Sequence, residues 1–274
     1  MTKMSSGSGV TACADAGTWE EPSITRSFIV LMIPVVVLAA VSLLMWHLLR
    51  VTPSPSWFHV LLGDLFDVNK EVNLPTWFSA GLWLCSGLVA GLLARWSLSH
   101  RRSWWSFATA CLLFSVDEAT LLHERLGAAG TVVAEELGLE MRYAWVLPGV
   151  VIAAVVALLF LRFVLALPGK VRLGIICAGA VFVAGALGGE LITDVASRMT
   201  PLPDYRVAPM YVAFNAAEEF LEMTAVALCL ASLLSLFSRR KDGGAVMWTV
   251  AERAHERGHC EALGGCGDPA TESD

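Results

Sequence analysis

Asp117, Glu118, His123 and Glu124 place three carboxylates and an imidazole within eight residues, at the end of a stretch otherwise suited to lipid. Two later sets accompany them: Glu190, Thr193 and Asp194, then Asn215, Glu218, Glu219 and Glu222. On helices, Asp117, Thr120, His123 and Glu124 share an arc of roughly 120°, and Glu118 points about 100° away from Asp117 on the other side. Each of the two later sets spans an arc of roughly 100°. Eight carboxylates thus face at most three positive groups: His123, Arg125 and Arg198. An unpaired charge in hydrocarbon costs several kcal/mol, so these acids must be protonated or balanced by cations.

An oxygen-rich set with one imidazole favours a divalent metal such as Ca, Mg, Mn or Fe over a thiolate-type Zn site. The expected ligands are Asp117, His123, Glu124, Glu190, Glu218 and Glu222, with Glu219 or Asp194 handling protons beside them. Facing helices build di-metal carboxylate centres in this way, although the Glu-x-x-His spacing is absent. No Ser, Cys or Lys stands out as a nucleophile, and there is no phosphate-cradling glycine loop.

The elements that must position these side chains are membrane helices. The 274-residue chain is 56% hydrophobic and 16% charged, against a globular norm of about a quarter charged. Its apolar residues fall in six blocks long enough, or nearly so, to cross roughly 30 Å of hydrocarbon: 27–50, 76–98, 103–125, 143–167, 171–198 and 207–237. The expected fold is all-α, a polytopic membrane protein with a six-transmembrane-helix bundle over 27–237 and both termini cytoplasmic. Residues 1–26 read as a disordered leader and 238–274 as a disordered tail. The first block is too long for the core of a cleavable signal, so that helix is expected to stay.

Counted at 1.5 Å per residue from the inner ends, the three acidic sets lie at roughly 21–31, 28–34 and 22–33 Å. They therefore share the outer half of the bilayer. With the termini inside, 13 of the 19 basic residues fall on the inner side and 15 of the 25 acids on the outer. This obeys the positive-inside rule of a cell (inner) membrane protein and makes nucleic acid an unsuitable partner. Membrane lipid and a small-molecule or lipid substrate are the expected partners.

Trp46, Trp57, Trp77 and Trp145 near the outer boundary, and Trp96, Trp104 and Trp105 near the inner one, read as interfacial anchors. In the outer loop 51–75, the segment from Trp57 to Phe66 is apolar enough to lie on the membrane face, and Glu71 and Asn73 would sit at the rim of the acidic site. Gly87 and Gly91, the row Ala180, Ala184 and Gly188, and the row Gly185 and Gly189 read as close helix packing. Cys85, Cys111, Cys177 and Cys229 read as small apolar residues; Cys13, Cys260 and Cys266 lie on the arms. His255, His259, Cys260 and Cys266 fit no strong zinc template.

Phe66, Asp67, Glu71, Asn73, Pro75, Thr76 and Trp77, together with Asp117, Glu118, His123 and Glu124 and with Glu218, Glu219 and Glu222, carry a resemblance. From the first helix to the sixth, the chain resembles a group of uncharacterised bacterial multi-pass membrane proteins. The resemblance implies no activity, only that the outer loop and the acids belong together. The expected function is an outward-opening, metal-binding membrane site, in the fullest form a metal-dependent enzyme acting on a lipid-like or envelope substrate. The alternatives are a cation or proton-coupled transporter and a structural or sensory subunit. Below the acids the third, fifth and sixth blocks offer only small groups such as Ser106, Thr109, Ser115, Thr224 and Ser232, which favours a one-sided site.

Overall fold

The computed structural model describes residues 20–68, 70, 72–97, 99–199, 209–242 and 245–250. Ten α-helices occur in order among them: α1 Ile24–Val51, α2 Trp57–Phe66, α3 Leu74–Trp96, α4 Arg101–Thr120, α5 Leu122–Arg125, α6 Gly127–Glu136, α7 Val146–Ala166, α8 Gly169–Val183, α9 Glu190–Met199 and α10 Pro209–Leu234. A π-helical turn, Ala184–Gly189, joins α8 to α9 without a break in the chain's course. Two strands, β1 Phe237–Asp242 and β2 Ala245–Val250, end the described chain.

Four helices are both long and apolar enough to cross a membrane: α1, α3, α7 and the run Gly169–Arg198 formed by α8, the π-turn and α9. This is a membrane protein's pattern, with Leu158 and Leu159 of α7 each 71% exposed to whatever surrounds the bundle. The expectation of six spans is met by four on this measure. Helices α4 and α10, with 20 and 26 residues, reach about 30 and 39 Å at 1.5 Å per residue. They carry Asp117 and Glu118, and Glu218, Glu219 and Glu222, respectively.

Burial explains how α10 tolerates its acids. It packs against α1, α3, α8, the π-turn and α9, so its polar stripe meets other helices instead of lipid. Ala216, Ala225, Ala227 and Ala231 are buried along it and keep the neighbours close. A Cβ on Gly174 of α8 would lie 2.2 Å from the Ser232 hydroxyl, which shows how near the two backbones come. Helices α3 and α4 form an antiparallel pair in which a Cβ on Gly87 would meet Leu112 at 2.9 Å, as the packing role of Gly87 and Gly91 requires.

Two apolar layers separate the ends of the bundle. One gathers Leu93, Ala94, Trp104, Phe163, Leu233, Phe237 and Val250. The other is aromatic: Trp83 of α3 stacks on Phe114 of α4 at 4.8 Å, and Phe182 of α8 meets both edge-on at 5.4 and 5.8 Å. Phe114 lies one helical turn below Glu118, so this layer sits directly under the acidic level.

Glu20 and residues 237–250, which fall largely within the two arms expected from sequence to be disordered, are paired as extended chain. Strands β1 and β2 pair antiparallel from Phe237 opposite Val250 to Asp242 opposite Ala245. Phe237 and Val250 are buried, which ties the hairpin to the bundle. Glu20 bridges to Arg239 through both backbone hydrogen bonds, at 2.8 and 2.9 Å, and through its carboxylate. The start of α1 and the end of α10 therefore lie on one side. Residues 1–19 and 251–274, with the cysteines and histidines singled out there, lie outside the described residues.

At the other end, α2 exposes Trp57, Phe58, Val60, Leu61 and Leu65 while packing on α1, as a helix resting on a membrane face would. Asn73 serves as the N-cap of α3: its side chain accepts from Thr76 N–H at 3.2 Å and donates to the Asp67 carbonyl. It closes a loop instead of lining a site. Glu71 lies outside the described residues. Helix α6 fills the connection between the third and fourth blocks, where sequence periodicity places no element.

Candidate functional site

Helix α10 presents Asn215, Glu218, Glu219 and Glu222 between its N-terminus and its middle, and α4 and α9 bring carboxylates to them. Glu222 interacts electrostatically with Glu219, Glu118, Glu218 and Glu190, and Glu218 with Glu190. Side chains from α4, α9 and α10 thus converge at one level, as the depth count requires for Glu190, Glu218, Glu219 and Glu222.

The floor under the pair on α10 is glycine. A Cβ on Gly189 would lie 2.8 Å from Glu218 Cγ and 2.9 Å from its Cβ, and one on Gly185 would lie 3.1 Å from Glu222 Cγ. Gly188, grouped with another packing row in the sequence, faces open space. A π-turn is a rare insertion, frequent at functional sites, that shifts the register of the residues beyond it without ending the helix. Here it leads directly into Glu190, the first residue of α9. Gly189→Ala is expected to cost about 1–3 kcal/mol by overpacking, since the clash falls on the rigid stem of Glu218; thermal unfolding of the purified protein measures it.

Helix α4 departs from the continuous arc drawn through Asp117, His123 and Glu124. It ends at Thr120, and Leu121 adopts φ 56°, in the left-handed region. That region is uncommon for any residue with a Cβ. Asp117 supports the break: one carboxylate oxygen accepts from the His123 backbone N–H at 2.7 Å and the other lies 3.1 Å from Nδ1 of the ring. The imidazole then packs on Trp145 at 4.7 Å between ring centres, and Trp145 Nε1–H points at Glu190 Oε1, 3.4 Å away. His123 thus stands at the rim, linked to the acids through Trp145.

Glu118, which the helical wheel turns away from the site, belongs to it. Besides interacting with Glu222, it accepts a hydrogen bond from the buried Ser79 of α3 and feels the charges of His123 and Asp117. Glu124 is exposed on α5. Asp194 is fully buried, ion-paired with Arg198, and accepts from the Arg142 backbone N–H at 2.6 Å. It fastens the segment before α7 to α9, which is a structural task in place of the proton handling expected for it.

Among the described residues, no three His, Cys, Asp or Glu side chains form a group that could hold a metal ion. The expected ligand set is therefore not assembled as a coordination shell. What the site holds is a surplus of acceptors. Glu218 Oε2, Asn215 Oδ1 and Thr193 Oγ1 are buried with no hydrogen-bond partner among the described residues. An orphaned buried polar atom costs about 1–3 kcal/mol; Asn215 and Glu218 lie one turn apart on α10, and Thr193 lies one turn from Glu190 on α9.

A family model described as a domain of unknown function (DUF8692) matches residues 29–236. No curated protein and no solved structure matches the chain.

Proposed function

The chain belongs to this family of unknown function, and from that premise we propose a bacterial cell-membrane protein that binds a cation in an outward-facing chamber of carboxylates. Glu118, Glu190, Glu218 and Glu222 carry the reading, because interacting acids with a buried, unpartnered oxygen on Glu218 need positive charge from outside the fold.

Helices α4 and α10 complete six spans in this proposal. Six crossings return the chain to its starting side, in keeping with the pairing of Glu20 and Arg239. Arg95, Arg101, Arg102, Arg162, Lys170 and Arg172 flank that same side, which the positive-inside rule makes cytoplasmic. The chamber then opens outward, and α2 rests on the outer face.

The aromatic layer of Trp83, Phe114 and Phe182 beneath the acids favours a one-sided site over a transport route, which needs polar groups on both sides. A divalent metal held by rearranged carboxylates would make the protein a metal-dependent enzyme; with no nucleophile in evidence, that ion would have to activate water.

The test is a binding panel on the full chain in detergent, titrating protons, Mg²⁺, Ca²⁺, Mn²⁺ and organic ammonium ions by calorimetry and pH-stat. At least one cation is expected to bind with defined stoichiometry, and Glu218→Gln combined with Glu222→Gln to weaken it tenfold or more. Indistinguishable behaviour of parent and variant across the whole panel would end the proposal.

A further inference from the structure

We infer that the hairpin end of the bundle holds anionic phospholipid headgroups, at a corner where α4 begins and α7 turns into α8. The inference is independent of the cation reading, because its residues lie at the opposite end of the bundle from Glu218 and Glu222.

Aromatic contacts assemble the corner. Phe163 of α7 meets Trp104 of α4 edge-on at 4.8 Å and lies 6.1 Å from the ring of His100, the residue before α4. Arg101 and Arg102 fall between those two aromatics in sequence, and Arg162 precedes Phe163. Only Leu167 and Pro168 separate α7 from α8, and Arg172 Nη1–H donates back across that turn to the Leu165 carbonyl at 3.2 Å. Lys170 and Arg172 join the same corner, because Val171 between them is buried in one cluster with Trp104 and Phe163.

Arg101, Arg102, Arg162, Lys170 and Arg172 thus ring one apolar core, and all are exposed. None of them is in an ion pair among the described residues. The helices that carry them supply no counter-charge nearby: α7 and α8 have no acid, and the first on α4 is Asp117, roughly 22 Å along the helix from Arg102. Topology asks only that basic residues lie on one side of the membrane, not that they gather around one core. Gathered like charges repel, and an anion among them turns that repulsion into attraction.

The neighbouring surface selects a lipid over a soluble polyanion. Trp105 lies one turn from Arg102, Leu158 one turn from Arg162 and Ile176 one turn from Arg172, each on its cation's helix face and toward the middle of the bundle. They are 48%, 71% and 48% exposed. A phospholipid meets both features at once, phosphate on the cations and acyl chains on the apolar stripes, whereas a soluble polyanion meets the charges alone. Clusters of about four to eight basic residues beside membrane helices attract anionic lipid in this way.

The experiment compares phosphatidylglycerol with phosphatidylcholine of identical acyl chains, each added to the full chain in detergent and read by thermal shift and native mass spectrometry. Phosphatidylglycerol is expected to bind roughly tenfold more tightly or better, with the preference shrinking as salt rises from about 0.05 to about 1 M. Arg102→Gln, Arg162→Gln and Lys170→Gln combined should erase the preference; Gln is a helix former close to Arg and Lys, so the fold should survive. Arg50→Gln, Lys70→Gln and Arg125→Gln combined remove the same charge from the opposite end and should leave the preference intact. Equal binding of the two lipids, a preference indifferent to salt, or a corner variant that keeps it overturns the inference. Tighter retention of heparin than of phosphatidylglycerol assigns the corner to a soluble acidic partner and overturns it as well. The corner variant leaves Glu218 and Glu222 untouched, so the cation panel succeeds or fails on its own.

Discussion

Glu218→Gln combined with Glu222→Gln is expected to yield a protein that is more stable than the parent when no cation is bound, and that no longer gains stability when one is added. The two carboxylates stand on one face of α10 and repel each other as well as Glu118, Glu190 and Glu219. Taking charge out of a poorly solvated cluster of like charges, while leaving side chains of nearly the same shape, removes both their repulsion and the cost of holding them away from water, and is expected to stabilise the fold. In a chain of this size each kcal/mol moves the melting temperature by about 2–4 °C. The parent instead recovers stability from its ligand, by about 2.7 kcal/mol when the ligand is at a hundred times its dissociation constant. Melting curves of parent and variant, with and without saturating cation, should therefore cross: the variant higher without ligand, the parent higher or level with it. A site that keeps mutually repelling groups gives up stability for binding, the usual trade at functional positions. Were the acids merely anchors of the fold, the variant would melt lower under both conditions, and the cation reading would fail.

The part of this site that can be read from the sequence depends on regular helices. Glu190, Glu218, Glu219 and Glu222 are found at one level because α10 is a single uninterrupted helix and the π-turn carries α8 into α9 without ending it. Counting residues along such helices measures depth. Glu118 and Glu124 come out the wrong way round because a helical wheel presumes continuity, whereas the chain turns at Leu121. A leucine in the left-handed region leaves no mark in composition, and Asp117, which reads as a ligand, is the local group that holds the turn. The number and type of acids suggest a metal shell, but coordination depends on distances of a few tenths of an ångström, to which sequence is blind. Small residues such as Gly185 and Gly189 announce close packing, yet only the structure shows that the pair faces Glu222 and Glu218 and that Gly188 does not. At the opposite end, the run from Ala245 to Val250 is rich in β-branched and aromatic residues. Its strand character is masked by its place beyond the last apolar block, among charges and glycines.

Trp83→Ala is expected to be the most damaging single change in the bundle, and damaging in two separable ways. Trp83 is 9% exposed and holds Phe114 and Phe182 together, so its removal leaves a cavity between α3, α4 and α8. Core Trp-to-Ala changes cost about 3–5 kcal/mol, here of the order of 10 °C in melting temperature. The second effect concerns permeability. Ser86 and Cys111 are buried on the same two helices as Trp83 and Phe114, and those helices carry no charged side chain between this level and Arg95, Arg101 and Arg102. If the aromatic layer is what closes the chamber toward that end, a water-sized gap beneath Glu118 and Glu222 would let protons pass. Liposomes bearing the parent should hold a pH gradient, and those bearing Trp83→Ala should dissipate it measurably faster. Phe182→Leu, which trims the layer without emptying it, should fold nearly as well as the parent and leak less than Trp83→Ala. A parent that already conducts protons or metal ions would instead place the route through this layer and make the protein a transporter. A Trp83→Ala variant that stays folded and tight would move the barrier to the inner cluster around Leu93, Trp104 and Phe163, where the hairpin closes the bundle.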